Sequence, residues 1–136
     1  MSLPQDELKT ILNGIRDFIL IISPERKILE VNDAFLKHMH YTREDVIGRE
    51  CFEVFKETGR QGGSNCHKKC TLEKVIREKR HCRQELIRIG PDDKPRFTEV
   101  TIYPIWEKKG KISKFVEISR DITERKADEK ADHDNL

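Results

Sequence analysis

The sequence predicts an α+β domain, one antiparallel sheet with short helices packed on one face. Three observations predict it. Two strand-like segments, Phe18–Ile22 and Lys27–Val31, come first and are followed by a block of short helical patterns. From Cys82 the apolar period switches to two and holds through three further segments, 82–89, 97–106 and 112–118. After Arg120 apolar residues nearly vanish, which marks the end of the packed region.

The elements follow in order. Leu8, Ile11, Leu12 and Ile15 fall at i, i+3, i+4 and i+7, the stripe of an amphipathic helix in the N-terminal segment 1–16. Phe18-Ile19-Leu20-Ile21-Ile22 is apolar on both faces, the pattern of a central strand. Ser23-Pro24-Glu25-Arg26 turns the chain into the partner strand. Asn32-Asp33 caps a helix over Ala34–His40, with Phe35 and Met39 on one face. Thr42-Arg43-Glu44-Asp45 has the spacing of a capping box and opens a short helix ended by Gly48. Residues 58–65, with three glycines, form a loop before a helix over Thr71–Arg80. In the last strands Val100, Ile102 and Trp106 share one side, and Tyr103 and Trp106 pack on the sheet. Val116 and Ile118 face inward and alternate with Glu117 and Ser119.

Composition narrows the function classes. A chain of 136 residues suits one domain. Its 27 Lys+Arg nearly cancel its 25 Asp+Glu, so the basic footprint of a nucleic-acid binder is missing. The longest apolar run, Phe18–Ile22, is far short of the roughly 20 residues that span a bilayer. No membrane contact is expected. Asp6 and Glu7 stand where a secretory signal would be positive, so the four cysteines read as thiols of a reducing, cytoplasmic compartment. No P-loop, G-x-S-x-G or H-E-x-x-H occurs, and a non-enzymatic role is expected.

Three segments, in order, resemble the PAS family of sensory domains over about residues 8–126. Val31-Asn32-Asp33-Ala34-Phe35 is similar to its V-N-x-A-F junction, and Tyr41 to Arg49 to its Y-[ST]-x-E-E-[LV]-[IL]-G-[RK] segment. Asp121-Ile122-Thr123-Glu124-Arg125-Lys126 matches the D-I-T-E-R-K ending of many bacterial members. The resemblance implies a five-stranded antiparallel sheet around a small cavity, a homodimer, and a small-molecule or redox signal. It divides the chain into an N-terminal helix (1–16), a sensory domain (17–122) and a signalling helix or linker (123–136). Asp121, Ile122 and Thr123 are the residues expected to transmit the signal to a downstream output domain. Asp121 or Thr123 caps the departing helix, Glu124 suits its positive end, and Arg125–Glu129 is an i, i+4 pair. Ala131-Asp132-His133-Asp134-Asn135-Leu136 resembles the A-x-H-D-x-L opening of diguanylate cyclase (GGDEF) domains. A sensor histidine kinase of a two-component system is the alternative parent, although its H-E-x-x-[ST]-P box is absent from the chain.

One cluster is chemically unusual. Cys66-His67-Lys68-Lys69-Cys70 is preceded by Cys51, and these three cysteines are expected to meet while Cys82 stays apart. Thiolate and imidazole ligands at such range suit Zn²⁺ or an iron–sulfur centre. The C-x3-C spacing departs from the usual C-x2-C, and ordinary thiols or a disulfide or redox switch remain open beside metal. Gly48 to Phe55 also aligns with the G-R-N-C-R-F-L-Q of flavin-binding LOV domains, with Cys51 at the photoactive position. Flavin is not expected: Glu50 replaces the asparagine, Phe52 the phosphate-pairing arginine, Glu53 an apolar residue and Phe55 the glutamine. His38 and His40 read as surface histidines rather than haem ligands.

Overall fold

A computed structural model describes residues 7, 15–56, 70–89, 94–108 and 110–134. Its elements are β1 (Phe18–Ile22), β2 (Ile28–Val31), α1 (Asp33–Met39), α2 (Arg43–Val46), α3 (Cys51–Lys56) and α4 (Thr71–Glu78). Then come β3 (Cys82–Ile89), β4 (Pro95–Trp106), β5 (Ile112–Asp121) and α5 (Thr123–Asp134). The strands form one five-stranded sheet in the order β2-β1-β5-β4-β3, with every pairing antiparallel. The last strand therefore occupies the centre, between β1 and β4. Leu8, Ile11 and Leu12 of the N-terminal stripe, and the loop 58–65, lie outside the described residues. No helix among the described residues is long and apolar enough to cross a membrane.

Local chemistry explains the first half. Asn32 ties β1 to α1: its Oδ1 accepts from Ile19 N–H (3.0 Å) and Phe35 N–H (3.3 Å), and its Nδ2 donates to the Asp17 carbonyl (2.8 Å). The side chain thus serves as N-cap and as a strand partner at once. His40 takes the left-handed conformation (φ 58°), so α1 closes at Met39. The predicted capping box is present, with Thr42 N–H donating to Asp45 Oδ2 at 2.8 Å. Gly48, at φ +86°, donates its N–H to the Ile28 carbonyl at 2.7 Å; a Cβ there meets nothing within 4 Å, so the backbone angle alone favours glycine. Lys79 turns left-handed after Glu78, and α4 stops two residues short of the predicted Arg80.

The helices cover the inner face of the sheet. Leu20, Ile22, Ile28, Phe35, Val46, Val54, Val75 and Val100 are fully buried there. Phe18 meets Phe35 edge to face at 5.5 Å between ring centres, a favoured aromatic geometry. Two strand readings are corrected. On β5 the inward residues are Phe115, Glu117 and Ser119, while Val116 and Ile118 face the other side and are half-buried. Phe115 sets this register opposite Ile22, and alternation then carries the glutamate inward. Trp106 does not join Val100 and Ile102 in the core, because the β4–β5 pairing shifts register between Ile105 and Trp106 and leaves it 45% exposed. Tyr103 is likewise exposed, stacked on His81 at 5.2 Å.

Two stability outcomes follow from these caps. Asn32→Ala removes the N-cap and orphans the buried Ile19 N–H, costing about 2–4 kcal/mol in urea unfolding. Donation from the Thr42 N–H, then from its side chain, holds the Asp45 carboxyl below its ordinary value. Because the folded value is the lower one, the box stabilises above the unfolded pKa and fades as pH falls through the folded one. Thermal melts from about pH 5 to pH 2 should show wild type losing its advantage over Asp45→Asn. A gap that stays constant over that range contradicts the assignment.

Candidate functional site

A cavity of about 50 Å³ lies between the inner face and the starts of α3 and α4. Arg26 of the β1–β2 turn, Cys51, Cys70, Thr71 and Leu72 line it from the helical side, and Leu86, Arg88, Ile102 and Glu117 from the sheet. At roughly 10–15 Å³ for each water-sized centre, it holds about four non-hydrogen atoms.

The floor is charged. Arg88 Nη1 donates to Glu117 Oε2 at 3.0 Å and to Ser119 Oγ at 2.9 Å. The Ser119 hydroxyl donates to the same Glu117 oxygen at 2.7 Å. The Arg88 and Glu117 side chains are 8% and 1% exposed, so neither charge is solvated by bulk water. Such a pair persists only where geometry and added hydrogen bonds offset desolvation, and Ser119 supplies one of those bonds to each partner. Arg26 stands at the helical side, ion-paired with Glu73.

The cysteines divide as follows. Cys51 and Cys70 line the same cavity, and Cys70 also caps α4, its Sγ accepting from Glu73 N–H at 3.5 Å. Cys82 sits in the apolar core, outside the cavity lining. Cys66 lies outside the described residues. Among the described residues no three His, Cys, Asp or Glu side chains form a group that could hold a metal. Flavin does not fit the residues present. About 50 Å³ is far too small for its ring system, and the floor is a committed ion pair. Arg49, beside the substituted positions, lies 3.7 Å from Glu53.

The junction to α5 is built from Asp121, Ile122 and Thr123. Asp121 Oδ1 accepts from Thr123 N–H at 2.9 Å and so caps the helix. Ile122 is 3% exposed, and its N–H donates to the Phe97 carbonyl at 2.8 Å. The Thr123 hydroxyl accepts from Phe97 N–H at 3.0 Å, closing a two-way clasp on β4. Glu85 and Glu99 stand directly opposite each other on β3 and β4, a like-charge pairing that disfavours the sheet. From α5, Lys126 Nζ reaches Glu85 at 3.0 Å, and Arg125 lies 3.6 Å from Glu85 and 3.9 Å from Glu99.

Sequence reasoning missed Arg88, Glu117, Ser119, Thr71 and Arg26. A signal existed for the glutamate: Phe115 and Glu117 are two apart, so a buried Phe115 puts Glu117 on the same face. Arg88 follows Leu86 at the same spacing.

The comparisons with known proteins agree with this architecture. The PAS domain family model matches residues 16–124. The chain is 26% identical over 121 residues to Phototropin-2 of Oryza sativa subsp. japonica, covering 85% of this chain and 12% of that protein. It thus spans about an eighth of that relative's length. An RNA-binding light-oxygen-voltage receptor superimposes with a TM-score of 0.72 at 19% identity, over 92% of this chain and 36% of that one. The PAS domain of a protein from Colwellia psychrerythraea gives 0.68 at 17% identity, over 88% of this chain and 97% of that one. Family model, sheet order and inner-face cavity together place this chain in the PAS family of regulatory sensory domains.

Proposed function

We propose that this chain is the sensory input module of a cytoplasmic signalling protein, in which the state of the cavity is passed through α5 to an output domain. One observation carries the reading. The central strand β5 holds Glu117 against the cavity and, four residues later, supplies the Asp121 cap of α5. Movement of the Glu117 backbone is therefore movement of the strand that positions the departing helix. Clasp and ion pairs to β4 and β3 give that helix a defined docked state to leave or keep. The A-x-H-D-x-L ending favours a diguanylate cyclase output over a histidine kinase. Exposed Phe97, Tyr103, Ile105 and Trp106 suit a homodimer, the commonest symmetric assembly.

A second reading has its own observation. Cys51 and Cys70 line the same cavity, which supports a redox or metal switch there, with Cys66, outside the described residues, as the expected third thiol. Labelling of Cys51 and Cys70 that changes together with a zinc chelator or reductant, with Cys82 unaffected, supports it. Chelator-independent labelling, identical under oxidising and reducing conditions, removes it.

The sensory reading is tested by hydrogen exchange on Ser119→Ala, which deletes one bond to each member of the ion pair and costs about 1 kcal/mol. Amides of α5 and Phe97 should exchange faster than in wild type, while those of α1 stay unchanged. Altered exchange at Arg88 and Glu117 with α5 unaffected contradicts the coupling. In the full-length parent the same variant should shift conversion of GTP to cyclic di-GMP at least three-fold.

A further inference from the structure

The first turn of α4 leaves donors without acceptors on the cavity wall. A helix start exposes its first N–H groups, and here the cap serves only the later ones. Glu73 N–H donates to Cys70 Sγ and Lys74 N–H to the Cys70 carbonyl at 3.3 Å. The N–H groups of Thr71 and Leu72 meet no acceptor among the described residues. The Thr71 hydroxyl is buried and also has no partner among them. Both residues are 3% exposed and both line the cavity. A buried hydroxyl without a partner is uncommon, and the two free N–H groups of the same helix turn suit a group that accepts from all three.

An anion suits these donors. Arg26 and Arg88 line the cavity with one lining carboxylate, Glu117, and Arg26 is also paired with the exposed Glu73 outside the lining. That carboxylate accepts from Arg88 at 3.0 Å and from Ser119 at 2.7 Å, which offsets its repulsion of a ligand. The eight-residue α4 adds its positive N-terminal end. Size sets the upper limit, because about 50 Å³ admits about four non-hydrogen atoms. We propose that the cavity binds a compact monovalent oxyanion of the acetate or nitrate class, held by the Thr71 hydroxyl and the Thr71 and Leu72 N–H groups. This rests on the reading of the cavity as the sensory site and names the chemistry of its ligand.

The test is titration of the 136-residue chain with sodium acetate and sodium nitrate at constant ionic strength, followed by backbone amide shifts. Saturable shifts at Thr71, Leu72, Arg88 and Glu117 are expected with one or both anions. Chloride, sulfate and the neutral isostere urea should leave those amides unmoved. Thr71→Val and Thr71→Ala should each weaken binding ten-fold or more, and Thr71→Ser should stay within three-fold of wild type. Shifts that grow linearly without saturation, an equal response to urea or chloride, or unaltered affinity in both hydroxyl-deleting variants overturns the proposal. Failure here is distinguishable from failure of the sensory reading. The exchange experiment on Ser119→Ala uses no anion, so faster α5 exchange beside a flat titration removes the oxyanion and keeps the coupling.

Discussion

Arg88 and Glu117 meet 3.0 Å apart on the inner face of the sheet, with side chains only 8% and 1% exposed. Burying two charges costs several kcal/mol per ion, so the neighbourhood is constrained to keep them paired. Ser119 is small enough to stand beside both and polar enough to bond to each. The same pair interrupts what is otherwise an aliphatic surface of Leu20, Ile22, Val100 and Ile102. Branched apolar side chains interlock closely, whereas a guanidinium and a carboxylate must meet edge to edge. The cavity lies where this polar floor meets the starts of α3 and α4. The ion pair thus accounts for the position of the site and for its mixed lining.

Topology gives that position its consequence. β5 pairs with β1 on one side and β4 on the other, so it touches both halves of the fold. It is also the strand that continues into α5 after the single residue Ile122. The clasp at Phe97 fixes the first residues of the helix, and Arg125 and Lys126 relieve the opposed Glu85 and Glu99. These ion pairs are exposed, each worth at most about 1 kcal/mol. A docked helix held by modest contacts responds to small changes in the strand that carries it. A helix buried in a large apolar interface would not.

Much of the fold was legible because local rules and tertiary packing agree. The all-apolar Phe18–Ile22 run reads as a central strand, and β1 lies between β2 and β5. Asn32 reads as a cap and is one, although its second bond to Ile19 has no sequence signature. The Thr42–Asp45 spacing marked its box directly. Reading failed where a polar residue is buried by choice of partner. Glu117 and Ser119 look solvent-facing beside Val116 and Ile118, and only Arg88, 29 residues earlier, makes their burial tolerable. Trp106 failed for another reason, since a register shift at the strand end breaks the alternation used to place it. Of the cysteines, Cys51 and Cys70 line the cavity, Cys82 lies in the apolar core, and Cys66 is outside the described residues.

The site's floor requires that Arg88 and Glu117 stabilise each other in the folded state, and a double-mutant cycle measures that directly. Arg88→Met, Glu117→Leu and the double variant are unfolded in urea and compared with wild type. Each single change strands a buried charge and should cost about 3–5 kcal/mol. The double variant removes both charges and should be far less destabilised than the sum of the two, leaving a coupling energy above about 2 kcal/mol. Single losses that simply add, with coupling below about 0.5 kcal/mol, would show that the two charges do not act as a pair.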